Sequence, residues 1–199
     1  IQTTLVDSPE GLKGLVKILE KAMMIAFDTE TTDTDVMKAK LVGISLAVQP
    51  NLGFYIPLGH VEGKQLPVKE VFEAIAGPMT NPEIGKVGHN LKYDYLVLKR
   101  AGLTVSPLTF DTMIAEWLIN PASRNLGLKN LAWVRLGYEM TQIEELIGKG
   151  RAQKTMDMVP IAEASKYAAA DAAICLRLLP QLREELEGHK ARDLFDSME

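Results

Sequence analysis

Apolar positions fall into short blocks along the first half of the chain and into longer helical repeats along the second. "MMIAFD" (residues 23–28), "KLVGISLAV" (40–48) and "GFYIPL" (53–58) are near-continuous apolar runs bounded by turn formers, the mark of buried strands. The last two are separated by "QPNLG", a spacing that predicts an antiparallel hairpin. A helical stretch near Val68 to Ala76 follows, then a loop punctuated by Gly77-Pro78 and Asn81-Pro82. "KVGH" (86–89) reads as a fourth short strand running into the helix "NLKYDYLVLKRAG".

Beyond that point the pattern is helical. Asp111 is placed to cap "TMIAEWLIN", which stops at Pro121, and "LKNLAWVRLG" and "TQIEELIG" are short helices each ended by Gly. The last long helix begins near Pro160, a suitable first-turn residue, with a kink expected at Pro180, where a backbone donor is missing. Strands first and helices mostly later predict a mixed sheet covered by helices, an α/β or α+β layered domain. The length of 199 residues fits one domain, 1–199. The missing initiator Met and the uncapped, amphipathic "HKARDLFDSME" predict a fragment of a longer chain.

Composition narrows the function classes. With 47% hydrophobic and 24% charged residues the chain is neither disordered nor membrane-spanning, and its start lacks the charged and apolar regions of a signal peptide. One cysteine, Cys175, excludes an internal disulfide and fits a reducing compartment, with the cytoplasm as the expectation. A net charge of −4 argues against binding polyanions through the whole surface, so any nucleic-acid contact must be local. Lys149, Arg151 and Lys154 in "GKGRAQK" are either such a contact or a solvated loop.

The candidate chemistry starts at the end of the first apolar run. Asp28 and Glu30, two apart on a strand, point to one side while Thr29 points to the other. Two bare carboxylates on one buried face are costly, so they either reach solvent or share a cation. Hard divalent ions such as Mg²⁺ and Mn²⁺ take oxygen ligands of this kind. D-x-E alone is a weak signal; two helical pairs strengthen it. Asn90 with Asp94, and Tyr167 with Asp171, are each four apart and share a helix face. Asn90 also stands where a helix cap belongs. Asp171 sits among Ala168, Ala169, Ala170, Ala172 and Ala173, a small-residue face suited to close packing on a sheet, where an unpaired carboxylate is expensive.

"FDTETT", "LVGISLAV", "FYIPLGH", "GHNLKYDYLVLKRAG", "FDTMIAEWLINP", "IEELIGKGRAQ" and "YAAADAAICLRL" together resemble the 3′→5′ proofreading exonuclease domain of bacterial family A DNA polymerases, in order over nearly the whole chain. D-x-E, N-x-x-x-D and Y-x-x-x-D are the motifs of the DEDDy branch of the DnaQ-like exonucleases. The resemblance implies a ribonuclease H-like fold and two divalent ions, Mg²⁺ or Mn²⁺ with Zn²⁺ an option at one site, held by Asp28, Glu30, Asp94 and Asp171. In this family pattern Asp28 bridges both ions, Glu30 and Asp171 complete the tighter site, and Asp94 supports the second largely through water. Tyr167 orients the attacking water; with a phenol pKa near 10 it is a poor general base. The implied reaction hydrolyses the terminal phosphodiester of single-stranded or frayed DNA and releases a deoxynucleoside monophosphate.

Thr31, Thr34, Asn90 and Tyr93 stand at positions that resemble DNA contacts, Tyr93 as a base-stacking or a core aromatic. At Thr34 the family usually has a wedging leucine, so a weaker grip on the 3′ end, or substitution by Met37, is expected. The implied partners are the single-stranded 3′ end and a polymerase domain of the same chain, in a monomer, with no membrane. A ribonuclease D-like exoribonuclease and a catalytically silent polymerase module are the alternatives. His60, His89 and His189 lack ligand spacing and read as surface or turn residues; Trp117, Trp133 and Cys175 read as core.

Overall fold

A computed structural model describes residues 1–198. Six strands form one sheet in the order β1-β4-β3-β2-β5-β6, with ranges β1 Gln2–Leu5, β2 Met24–Thr31, β3 Leu41–Gln49, β4 Leu52–Pro57, β5 Gly85–Gly88 and β6 Leu108–Asp111. The antiparallel hairpin of β3 and β4 is present, and β2 pairs antiparallel with β3 but parallel with β5. The sheet is therefore mixed, as the order of apolar runs predicts.

Helices cover both faces. One face carries α1 (Pro9–Leu19), α2 (Val68–Thr80) and α3 (Leu91–Ala101); Leu15, Ile75 and Leu98 pack there with Ile25, Phe27, Ile44 and Ile56 of the strands. The other face carries α4 (Thr112–Ile119), α5 (Leu128–Leu136) and the long α7 (Ile161–Gly188), joined by α8 (Arg192–Met198). The short α6 (Ile143–Ile147) lies in the connection before α7 and begins with a Gln142/Glu145 capping box. Small residues let α7 lie close to the sheet. A Cβ at Gly53 of β4 would stand 2.3 Å from the Ala169 carbonyl oxygen, and Ala168, Ala169, Ala172 and Ala173 are fully buried.

Several expectations are corrected. Helix α2 continues through Pro78 to Thr80, so Gly77-Pro78 is helix and not loop; Pro180, where a kink is expected, lies inside α7. Trp117 and Trp133 are 44% and 61% exposed, because α4 and α5 turn Ala115, Leu131 and Ala132 inward instead. His60 is buried, not a surface residue: Nε2 lies 2.8 Å from the Tyr55 hydroxyl and Nδ1 3.0 Å from the Val159 carbonyl oxygen. Cys175 is buried and His189 exposed, as expected.

Asp111 does more than cap its own helix. Its carboxylate accepts from the backbone N–H groups of Met113 and Ile114 at the start of α4, and from those of Asn90 and Leu91 at the start of α3. Asn90 stands at the predicted cap position, but its side chain makes no capping bond; it adopts a left-handed conformation (φ 60°) instead. On the opposite face, Arg135 of α5 bonds Glu116 of α4 and both carboxylate oxygens of Glu185 of α7, which fixes α5 between its neighbours.

Candidate active site

Strand β2 mounts the first two carboxylates. Ala26, Asp28 and Glu30 share one face, and Ala26 is small enough for α7 to lie over it. From α7, Asp171 meets them, and the three residues each offer an oxygen within 4.8 Å of the others. Glu30 and Asp171 are buried and Asp28 is half-buried. Oε1 of Glu30 is buried without a hydrogen-bond partner among the described residues. An orphaned buried carboxylate oxygen is costly unless a cation supplies what the protein does not.

Asp94 of α3 stands apart from that trio. It accepts from the Thr29 amide at 2.9 Å and from the Thr29 hydroxyl at 2.6 Å, so the residue between the two β2 acids holds it in place. Burial raises its carboxyl to about 7, against the pull of the Thr29 bonds. Burial likewise lifts Glu30 to about 8, helped by the Asp171 charge, and raises Asp28, to which Asp94 adds the largest repulsion. Burial raises Asp171 too, and there Lys129 opposes it. Burial and mutual repulsion thus favour the protonated form of these groups. The all-oxygen donor set and the orphaned Glu30 oxygen fit a hard divalent ion.

Tyr167 stands one turn before Asp171 on α7 and is buried; burial and the Asp171 charge push its phenol above the ordinary range. It lines a groove of about 590 Å³ together with Asp28, Glu30, Thr31, Thr34 and Asp171. Asn90 and Tyr93 line the same groove, as do Ile143, Ile147 and Lys154. Tyr93 is half-buried, its hydroxyl donating to the Asp33 carbonyl at 2.6 Å and lying 2.7 Å from the Thr31 hydroxyl. Thr34 is exposed at the groove edge; Met37 is 69% exposed, is not among the groove-lining residues, and its carbonyl accepts from Arg100. Of the basic cluster, Lys154 reaches the groove while Lys149 and Arg151 are exposed.

Sequence spacing did not bring forward Lys129, which contacts the site, or the environment of His89. Lys129, in the first turn of α5, places Nζ 3.2 and 3.3 Å from the two Asp171 oxygens and 4.2 Å from the centre of the Tyr167 ring. Burial lowers the half-buried His89 to about 4, and its Nδ1 lies 2.8 Å from the Thr112 hydroxyl. Their contacts span 42 and 23 residues, beyond any local pattern.

The profile of the 3′-5′ exonuclease family matches residues 3–187. The chain belongs to the 3′-5′ exonuclease family. The exonuclease domain is 42% identical over 199 residues to DNA polymerase I of Chloroflexus aurantiacus, with 98% of this chain and 21% of that one covered. It therefore spans about a fifth of the length of that relative. Its fold matches the POL domain of Pol1 from M. smegmatis in complex with DNA primer-template and dNTP, at TM-score 0.73 and 19% identity, over 96% of this chain and 29% of that one. Escherichia coli RNase D, an exoribonuclease involved in structured RNA processing, matches at TM-score 0.72 and 19% identity, over 94% and 46% of the two chains. The mixed sheet with its flanking helices is thus the ribonuclease H-like exonuclease fold. Among the described residues no helix is long and apolar enough to cross a membrane.

Proposed function

We propose that the exonuclease domain removes nucleotides from the 3′ end of single-stranded or frayed DNA as the proofreading part of a DNA polymerase I. The observation that carries this reading is the convergence of Asp28, Glu30 and Asp171 oxygens around an orphaned Glu30 oxygen, at the floor of an open groove. Asp28, Glu30 and Asp171 would hold one divalent ion, Mg²⁺ or Mn²⁺, and Asp94 with Asp28 would support a second, largely through water on the Asp94 side. Such ions activate a water as nucleophile and offset charge on the leaving oxygen.

The chain's own residues do the positioning. Thr29 fixes Asp94, and α7 presents Tyr167 and Asp171 in one direction. Tyr167 holds the attacking water by hydrogen bonding, since a phenol is protonated at neutral pH and a poor general base. Thr31, Thr34, Asn90 and Tyr93 line the path of the terminal nucleotides, with Tyr93 offering a ring for stacking that is blind to base identity. The reaction releases a deoxynucleoside 5′-monophosphate. The whole chain would be a DNA-directed DNA polymerase, monomeric and cytoplasmic, whose polymerase domain supplies most DNA affinity, in keeping with the net charge of −4 here.

The RNase D likeness supports a second reading, exoribonuclease action at the same site. Degradation of 3′-labelled single-stranded DNA and RNA of one sequence, with Mg²⁺ or Mn²⁺, separates the two. DNA-selective release that stops in Asp28→Ala is the expected result. RNA preference favours the second reading, and no hydrolysis of either leaves a silent module.

A further inference from the structure

The carboxylate site holds a positive charge of its own. Lys129 is the one cation among the described residues that pairs with Asp28, Glu30 or Asp171. Its ammonium engages both oxygens of Asp171 and lies over the face of Tyr167, with only 19% of its side chain exposed. The backbone that carries it is fixed, because Arg135, two turns along α5, is clamped to Glu116 and Glu185. This is a positioned side chain and not a surface lysine that has drifted onto an acid.

We propose that Lys129 is a resident counter-ion of the site, which holds Asp171 and Tyr167 in place while no divalent ion is bound and yields Asp171 when one enters. The inference rests on the divalent-ion reading above. A hard cation needs a carboxylate oxygen of Asp171, and both are engaged by the ammonium, so the two cations compete. The Tyr167 ring gives the displaced ammonium a second seat at short range, since cations are attracted to an aromatic face. Lys129 thus acts on the reaction through Asp171 and Tyr167, as a positioning residue.

Calorimetric titration of Mg²⁺ into the domain at about pH 8.5 provides the test. The parent is compared with Lys129→Met, Lys129→Gln and Lys129→Arg, each checked for native circular dichroism. Loss of the competing charge should tighten Mg²⁺ binding roughly tenfold in both neutral variants, while the Arg variant stays within about twofold of the parent. On single-stranded DNA the neutral variants should lose roughly tenfold in kcat with KM little changed, and Arg should restore most of it. Two neutral replacements keep the test decisive if one of them fails to fold. Equal Mg²⁺ affinity in the parent and the neutral variants, or an Arg variant that behaves like them, overturns the role of Lys129 alone. A parent that binds no Mg²⁺ overturns the divalent-ion reading and this inference with it.

Discussion

On one face of β2, Ile25 and Phe27 are fully buried among the aliphatic side chains of α1, α2 and α3; on the other, Ala26 is followed by Asp28 and Glu30 beneath α7. The first face gains stability from large side chains removed from water. The second gives up that volume: alanines on α7 and Gly53 on β4 bring helix and sheet together, and three acids face one another where apolar residues would pack. Strand alternation lets one eight-residue segment do both, so the rigid mount and the reactive surface are the same piece of backbone.

Mutations on the two faces should therefore separate activity from stability. Asp171→Asn is expected to lower nucleotide release on the order of a hundredfold to a thousandfold, with the thermal midpoint little changed, because lost repulsion of Asp28 and Glu30 offsets the lost Lys129 pair. A large fall in the midpoint would mean that Asp171 serves the fold. Phe27→Ala should do the reverse, at about 3–5 kcal/mol in urea unfolding while the folded fraction keeps its specific activity.

Gly53→Ala tests the seam between the two. The added methyl must push the Ala169 backbone outward, which predicts a loss of about 1–3 kcal/mol together with reduced activity, since Asp171 moves with α7. Lost stability with unchanged activity would show that close packing of α7 does not set the site.

The acidic face also predicts a pH dependence. Glu30 rises from 4.5 to about 8 and Asp94 from 3.8 to about 7, so the native state binds more protons than the unfolded chain between these values. Without metal, the stability that these two acids contribute should be fully present below about pH 4, be lost as pH rises, and level off above about 8, while His89 acts with the opposite sign below about pH 6.5. Mg²⁺ should recover it, raising the thermal midpoint more at pH 8 than at pH 6. A metal-free midpoint that climbs over that range would contradict the burial of these acids. The smallest effect is expected at the groove edge, where Thr34→Leu adds apolar area and should lower KM on single-stranded DNA roughly fivefold or less.

The sequence reading succeeded where a signal is local or periodic. The apolar runs predict β2, β3, β4 and β5, and i, i+2 and i, i+4 spacing places Asp28 with Glu30 and Tyr167 with Asp171. The start of the fold escaped it, although Ser8, whose hydroxyl accepts from the Gly11 amide, and Pro9 form a helix start signal for α1. Strand β1 is short and mostly exposed, and has no apolar run to mark it; it is made a strand by its parallel pairing with β4, fifty residues away. Strand β6 is likewise only four residues long and is defined by β5. Tertiary context also overturned the side-chain expectations. The apolar neighbours of Trp133 do not reveal which face of α5 meets α7, and His60 is buried through a carbonyl 99 residues away. Lys129 shows the same limit most clearly, since nothing in "GLKNLAW" connects it to an aspartate on another helix.

Asp28, Glu30 and Asp171 are expected to hold a divalent ion. Anomalous diffraction from crystals of the domain soaked in Mn²⁺ tests it most directly. A strong Mn²⁺ peak bounded by oxygens of these three residues is expected, with its loss in Asp28→Ala. A well-ordered crystal with no peak there, or with Mn²⁺ held only elsewhere, would contradict it.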